Sequence, residues 1–318
     1  FVYGGNTTKW IKFANTLKLR LLVHAFRVTS INAAAEMAII NAEGTGFLGA
    51  GESAEINPGF VSTKPTPYYR NFVQNEAGTA TGSSVRANEF AIGYYNWDGD
   101  PRISRFYVAP SSGAHKGIKY GLTPPPSANL GGTFLSKVTG PGLLPNGASS
   151  RAWILTSVES LFLQAEARER NIITTGATAK DRLRDAIRES FVWLGLTAAQ
   201  ADTYVANNAT YPDVDYNGVS QGPGLPAGGI FTILSQKWFA LNSIATLELW
   251  TDYRRTDFLL GSGGGFDPGP PISVLPQNTA TKIPVRLLYP QNEYNYNATN
   301  VGAQGVIDKF TSKIFWDL

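Results

Sequence analysis

The sequence has no cysteine and only two histidines, His24 and His115, in 318 residues. Disulfides, thiolate metal sites and a histidine-rich metal centre are excluded, because each needs ligands that are not there. No apolar run approaches the roughly 20 residues that a membrane-crossing helix needs. No signal-peptide pattern is read in the sequence from Phe1 on, and without an initiating Met, Phe1 is not expected to be the native start. Charge is sparse: 27 Lys and Arg stand against 24 Asp and Glu, a net +3 with no basic block. This near balance argues against nucleic acid as a partner. The glycine run from Gly261 to Gly265 has no following Lys-Ser or Lys-Thr and so is not a phosphate loop.

What is present is enough apolar residue, 43% of the chain, to bury a core in one large domain or two. Aromatic residues make up 12%, and 33 Gly and 19 Pro gather between the periodic segments. The composition describes a helical scaffold carrying long loops. Trp10, Phe13, Leu17, Leu21 and His24 recur at helical spacing behind the capping residues Asn6, Thr7 and Thr8, predicting a helix from Thr8 to about Arg27. Ala33 to Asn41 predicts a second helix stopped by Gly44, the residue best suited to a left-handed C-terminal position. Together these two form an expected helical hairpin.

From Gly44 to Ser150 the periodicity gives way to Gly-, Pro-, Ser- and Asn-rich sequence with aromatic runs at Tyr68-Tyr69 and Tyr94-Tyr95-Asn96-Trp97. A stretch this long is expected to be functional, with at most short strands or helices. Helical spacing returns at Ile154, Val158, Leu161 and Ala165, where Ala165 and Ala167 let a neighbouring helix come close. Thr178 with Asp181 resembles a capping box ahead of the stripe Leu183, Ile187, Phe191 and Leu194, which Gly195 ends. Thr197 with Gln200 starts a shorter helix. Leu234, Trp238, Leu241 and Ala245 predict one last long helix running to about Arg254 or Arg255.

The segment Ile283-Pro284-Val285-Arg286-Leu287-Leu288-Tyr289-Pro290-Gln291-Asn292-Glu293 belongs to no common catalytic motif. It follows, in order, Lys9-Trp10-Ile11-Lys12-Phe13-Ala14, Asp100-Pro101-Arg102-Ile103-Ser104-Arg105-Phe106-Tyr107, Tyr120-Gly121-Leu122, Val158-Glu159-Ser160-Leu161 and the Gln236 to Thr256 helix; Lys313-Ile314-Phe315-Trp316-Asp317 closes the series. In this order the motifs resemble the SusD/RagB family, surface lipoproteins of Bacteroidota that capture nutrients. The resemblance implies a mainly α fold, a tetratricopeptide-like helical-pair scaffold with long irregular loop-rich insertions. It implies one SusD-like domain over 1–318, lacking its amino-terminal section and lipobox Cys, with the stretch 44–150 as an insertion. It further implies a surface-exposed, lipid-anchored outer-membrane protein, its anchor outside this chain, that passes ligand to a SusC-like TonB-dependent barrel transporter. No enzymatic activity, cofactor or metal is expected. The ligand class stays open between a glycan or oligosaccharide and a peptide, as in RagB-like members. A secreted glycosidase is the alternative from another class.

Tyr94, Tyr95 and Trp97, followed by Asp98, suit sugar binding: ring faces cover the apolar face of a pyranose while carboxylates and amides meet its hydroxyls. Tyr68 and Tyr69 invite the same reading. The competing reading is that these rings anchor a long loop on the scaffold. Asp98-Gly99-Asp100 lacks the remaining ligands of a calcium loop, and Asp100-Pro101-Arg102 reads as a turn in which Arg102 meets a carboxylate or carbonyl. His24 reads as a packed, hydrogen-bonded histidine, and His115 has no evident partner. Glu159 and Glu166 lie two helical turns apart and read as helix packing, not as a hydrolytic pair. Arg254 and Arg255 complement a helix end, and Glu293 is expected to meet a cation or backbone N–H inside the fold.

Overall fold

The structure, a computed structural model, describes residues 1–123, 133–219, 228–256, 271–275 and 283–317. Helix α1 (Thr7–His24) is capped by Asn6, whose side chain accepts from the Lys9 amide, and α2 (Ala33–Glu43) by Asn32 in the same way. Gly44 ends α2 at φ 86°, as expected of a left-handed stop. Leu19, Leu22 and Val23 of α1 and Met37 and Ile40 of α2 share one core. The predicted stripe on α1 is rotated from this buried face: Leu21 is 67% exposed, while Phe13 and Leu17 pack on a smaller cluster around Leu48. Tertiary packing decides the face here, since apolar residues are spread around the helix.

Strands β1 (Ala54–Ile56) and β2 (Ala152–Leu155) pair antiparallel. Ile154 therefore sits on a strand, 56% exposed, and not in the helix that its spacing predicts. Alternating aromatic and branched residues at Trp153-Ile154-Leu155 favour the pleat once a partner strand is available. Helix α6 (Ser157–Glu169), which begins after the Thr156 cap, is the spine of the molecule. It packs against α1, α7 and α9. Ala165 contributes to the main core and Ala167 to that beneath α1 and α2, small side chains serving close approach on both flanks.

The short helices inside 44–150 are labelled α3 (Pro67–Phe72), α4 (Glu89–Trp97) and α5 (Ile103–Phe106), and the described residues that connect them are largely irregular, as expected. Beyond α6, α7 (Ala179–Trp193) carries its stripe as predicted, with Leu183, Ile187 and Phe191 buried and Thr178 accepting from the Asp181 amide. Thr197 and Gln200 form a capping box at α8 (Ala198–Asn207).

The predicted last long helix is instead two: α9 (Gly229–Leu241) and α10 (Thr246–Thr256). Asn242 leaves helical geometry at φ −54° and ψ 129°, and Ser243 takes the left-handed φ of 64°. The Asn242 Nδ2 donates to the Tyr107 hydroxyl at 2.8 Å and the Tyr95 hydroxyl at 3.4 Å. These distant partners set the break, which no Gly or Pro announces.

Arg102 docks the insertion on the scaffold. It is fully buried, makes a forked pair with Asp100, and donates to Ser190 on α7 at 3.0 Å and Gln236 on α9 at 2.8 Å. Both Asp100 oxygens serve this arginine. His24 pairs with Glu248 at 3.2 Å, and His115 Nδ1 lies 3.2 Å from the Ser136 hydroxyl, a partner the sequence does not reveal. Glu159 meets Arg20, and Glu166 meets Arg170 and Arg255. Glu293 falls on α11 (Gln291–Tyr296), which α12 (Ala298–Ala303) follows. Its carboxylate accepts from the Asn297 side chain on an exposed segment, so the expected internal cation or backbone N–H is replaced by a local amide.

Candidate functional site

The break between α9 and α10 opens one wall of a cleft of about 740 Å³. Phe90 and Ala91 of α4, Trp238 of α9, and Leu247, Leu249, Trp250 and Tyr253 of α10 line it, together with Tyr107, Tyr120, Pro271, Ile283 and Leu287. Tyr120 is 59% exposed and offers the most open ring. Trp250 is fixed by an Nε1–H bond to the Pro284 carbonyl at 2.9 Å and by the Arg254 guanidinium 3.8 Å from its ring centre. Trp238 meets Phe90 edge-on at 5.9 Å.

Polar groups sit among these rings. Asn88, Asn242, Ser243 and Thr246 line the cleft, and the Ser243 and Thr246 hydroxyls and the Asn242 Oδ1 make no hydrogen bond among the described residues. Tyr95 holds this edge from behind, donating its hydroxyl to the Phe239 carbonyl at 2.8 Å. The described lining includes one charged side chain, Arg86. Ring faces with unbonded hydroxyls and amides can grip a ligand that is apolar on one face and hydroxylated at its edge.

The residues singled out from sequence divide among other tasks. Tyr95 is fully buried against Phe106, Tyr107 and Phe239, and burial raises its hydroxyl pKa well above the ordinary value. It has no face for a ligand and acts as a core residue. Tyr94 is half-buried between Phe90 and Trp238. Asp98 is buried too; burial first, and then the adjacent Asp213 carboxyl, push its pKa up. A buried acid of this kind is a poor acceptor for sugar hydroxyls. Tyr68 donates to the Val138 carbonyl at 2.5 Å and packs on Phe72, and Tyr69 donates to Gln74 at 3.3 Å. Trp97 keeps 62% of its surface exposed.

Sequence reasoning passed over the residues that form the cleft. On one continuous helix Trp238 and Trp250, twelve positions apart, would point about 120° from each other. The break brings both into one wall. Gly218-Val219-Ser220-Gln221-Gly222 has the spacing of a serine-nucleophile elbow. Turns, not a strand, lead into it, and 220–222 lie outside the described residues. The Gly261 to Gly265 run also lies outside them.

The family model SusD-like, described as starch-binding and associating with the outer membrane, matches residues 1–290. A SusD homologue from Bacteroides uniformis superposes with a TM-score of 0.74 at 24% identity, covering 100% of this chain and 66% of that one. A SusD homologue from Bacteroides ovatus gives 0.70 at 25% identity, covering 99% and 67%. A chitin-binding SusD homologue from Flavobacterium johnsoniae gives 0.67 at 22% identity, covering 99% and 65%. This chain thus spans about two thirds of the length of these relatives. No curated protein matches it. The mainly helical scaffold, its order of elements and the match over residues 1–290 have one reading: the chain belongs to the SusD-like family.

Proposed function

We propose that this chain binds an oligosaccharide in the cleft between α4, α9 and α10 and serves as the capture component of an outer-membrane nutrient-uptake system. The aromatic lining with unbonded hydroxyls at the α9–α10 break carries this reading. Tyr120 stacks on a sugar ring, Trp250 and Trp238 form the apolar floor, and Asn242, Ser243 and Thr246 meet hydroxyls at the edge. Such a surface suits binding without turnover, since the described lining holds no Asp, Glu or His to act as an acid and base pair. The chitin-binding relative supports a carbohydrate ligand, and the family's association with the outer membrane supports the location. Trp97, open on the surface, stands as a second, outlying platform.

Delivery to a SusC-like TonB-dependent transporter, with a lipid anchor outside this chain, completes the proposal. No helix among the described residues is long and apolar enough to cross a membrane. A glycan array probed with the purified chain tests the ligand class: binding to a defined set of oligosaccharides is expected, whereas binding to a peptide library and to no glycan overturns it. Isolation of the protein from its native outer membrane in mild detergent is expected to bring a barrel transporter with it.

A further inference from the structure

Arg86 lines the aromatic cleft and also a second cavity of about 640 Å³ bordered by α3 and the 108–111 and 137–139 segments. It is half-buried, yet it makes no ion pair among the described residues. Its Nη1 donates to the Val85 carbonyl at 2.7 Å and, at 3.4 Å, to that of Gly82. Its Nε is buried with no partner, and its Nη2 makes no hydrogen bond, among the described residues. The described linings of both cavities contain no carboxylate, and Lys137, also without an ion pair, borders the second.

A guanidinium partly withdrawn from water and lacking a counter-charge is costly, and its planar fork matches a carboxylate or sulfate. The two fully buried arginines among the described residues have carboxylate partners, Asp100 for Arg102 and both Glu166 and Asp252 for Arg255. Arg86 has none among those residues, and it stands where a chain-like ligand leaving the aromatic cleft would pass.

We infer that the ligand of this cleft is an acidic oligosaccharide, with a carboxylate or sulfate held by Arg86 at the junction of the two cavities and Lys137 supplying a second positive charge. This rests on the oligosaccharide-binding reading above and narrows it to one chemical class.

The test is an array of neutral, uronic-acid-containing and sulfated oligosaccharides, followed by titration of every binder against wild type, Arg86→Met, Arg86→Lys and Tyr120→Ala. Acidic glycans are expected to bind, and Arg86→Met should weaken them by about tenfold or more, the scale of a lost charge-assisted hydrogen bond. Arg86→Lys is expected to retain part of that affinity, and added salt to weaken wild type more than Arg86→Met. The uronic and sulfated arms distinguish the two sources of charge. Binding only to neutral glycans, or acidic binding indifferent to Arg86→Met, overturns this inference. If such binding is still lost in Tyr120→Ala, the cleft itself stands. Binding to no glycan removes both readings.

Discussion

Arg255 on α10 donates from Nη1 and Nη2 to the two carboxylate oxygens of Glu166 on α6, each at 2.6 Å, and both side chains are closed to solvent. Asp252 accepts from the same guanidinium at 2.6 Å and pairs with Lys237 of α9 at 2.8 Å, so the spine and both halves of the broken helix share one charged cluster. Burial alone would raise the Glu166 pKa, but Arg255 and Arg170 overcome it and hold the carboxyl well below the usual range. This cluster fixes the inner end of α10, while its outer face lines the cleft.

Arg255→Met should therefore destabilise the protein by about 3–5 kcal/mol, because it leaves Glu166 and Asp252 in the interior without their shared partner. Denaturant unfolding measures this. A loss below about 1 kcal/mol would mean that the cluster is bridged by water or solvent-screened.

Asp98 and Asp213 predict the opposite pH behaviour. Burial first, and then the Asp213 carboxyl, raise the Asp98 pKa above its ordinary 3.8, so the folded state keeps a proton that the unfolded chain releases. The sign follows: stability is full below the ordinary value and falls as pH rises toward the raised one. Asp98→Asn should raise the melting temperature at about pH 8 and change it little at about pH 4, since it keeps the neutral shape and removes the titration. Equal effects at both pH values would contradict this.

At the α9–α10 break, Ser243→Gly should stabilise by up to about 1 kcal/mol, since glycine adopts the left-handed φ of 64° without a Cβ penalty. Asn242→Ala should cost about 1–3 kcal/mol by removing the donor to the Tyr107 hydroxyl and the longer contact to the Tyr95 hydroxyl, which keeps its bond to the Phe239 carbonyl. Thermal melting of the two variants, moving in opposite directions, checks both.

The legibility of these features in the sequence follows their locality. The caps at Thr178 and Thr197 and the stop at Gly44 depend on neighbours a few positions away and could be read directly. The break at Asn242 depends on Tyr95 and Tyr107, roughly 140 positions upstream, and could not. The Tyr94-Tyr95-Asn96-Trp97 run reads as one binding surface, yet a helix turns by about 100° per residue. It sends Tyr95 into the core and leaves Trp97 outside. The cleft draws its rings from four separated stretches of chain, which only the fold assembles.

Trp97→Ala should leave the melting temperature nearly unchanged, because the residue is already 62% exposed. A marked drop would assign the ring to packing. A parallel loss of glycan affinity with intact melting would assign it to ligand.

The most direct measurement is calorimetric titration of an array-identified oligosaccharide into wild type and Tyr120→Ala. Removing this open ring should weaken binding by about 1–3 kcal/mol, roughly ten- to a hundredfold, by analogy with stacked bases and aromatic anchors. The melting temperature should stay unchanged. Undiminished affinity in Tyr120→Ala would contradict the cleft as the place where this protein holds its ligand.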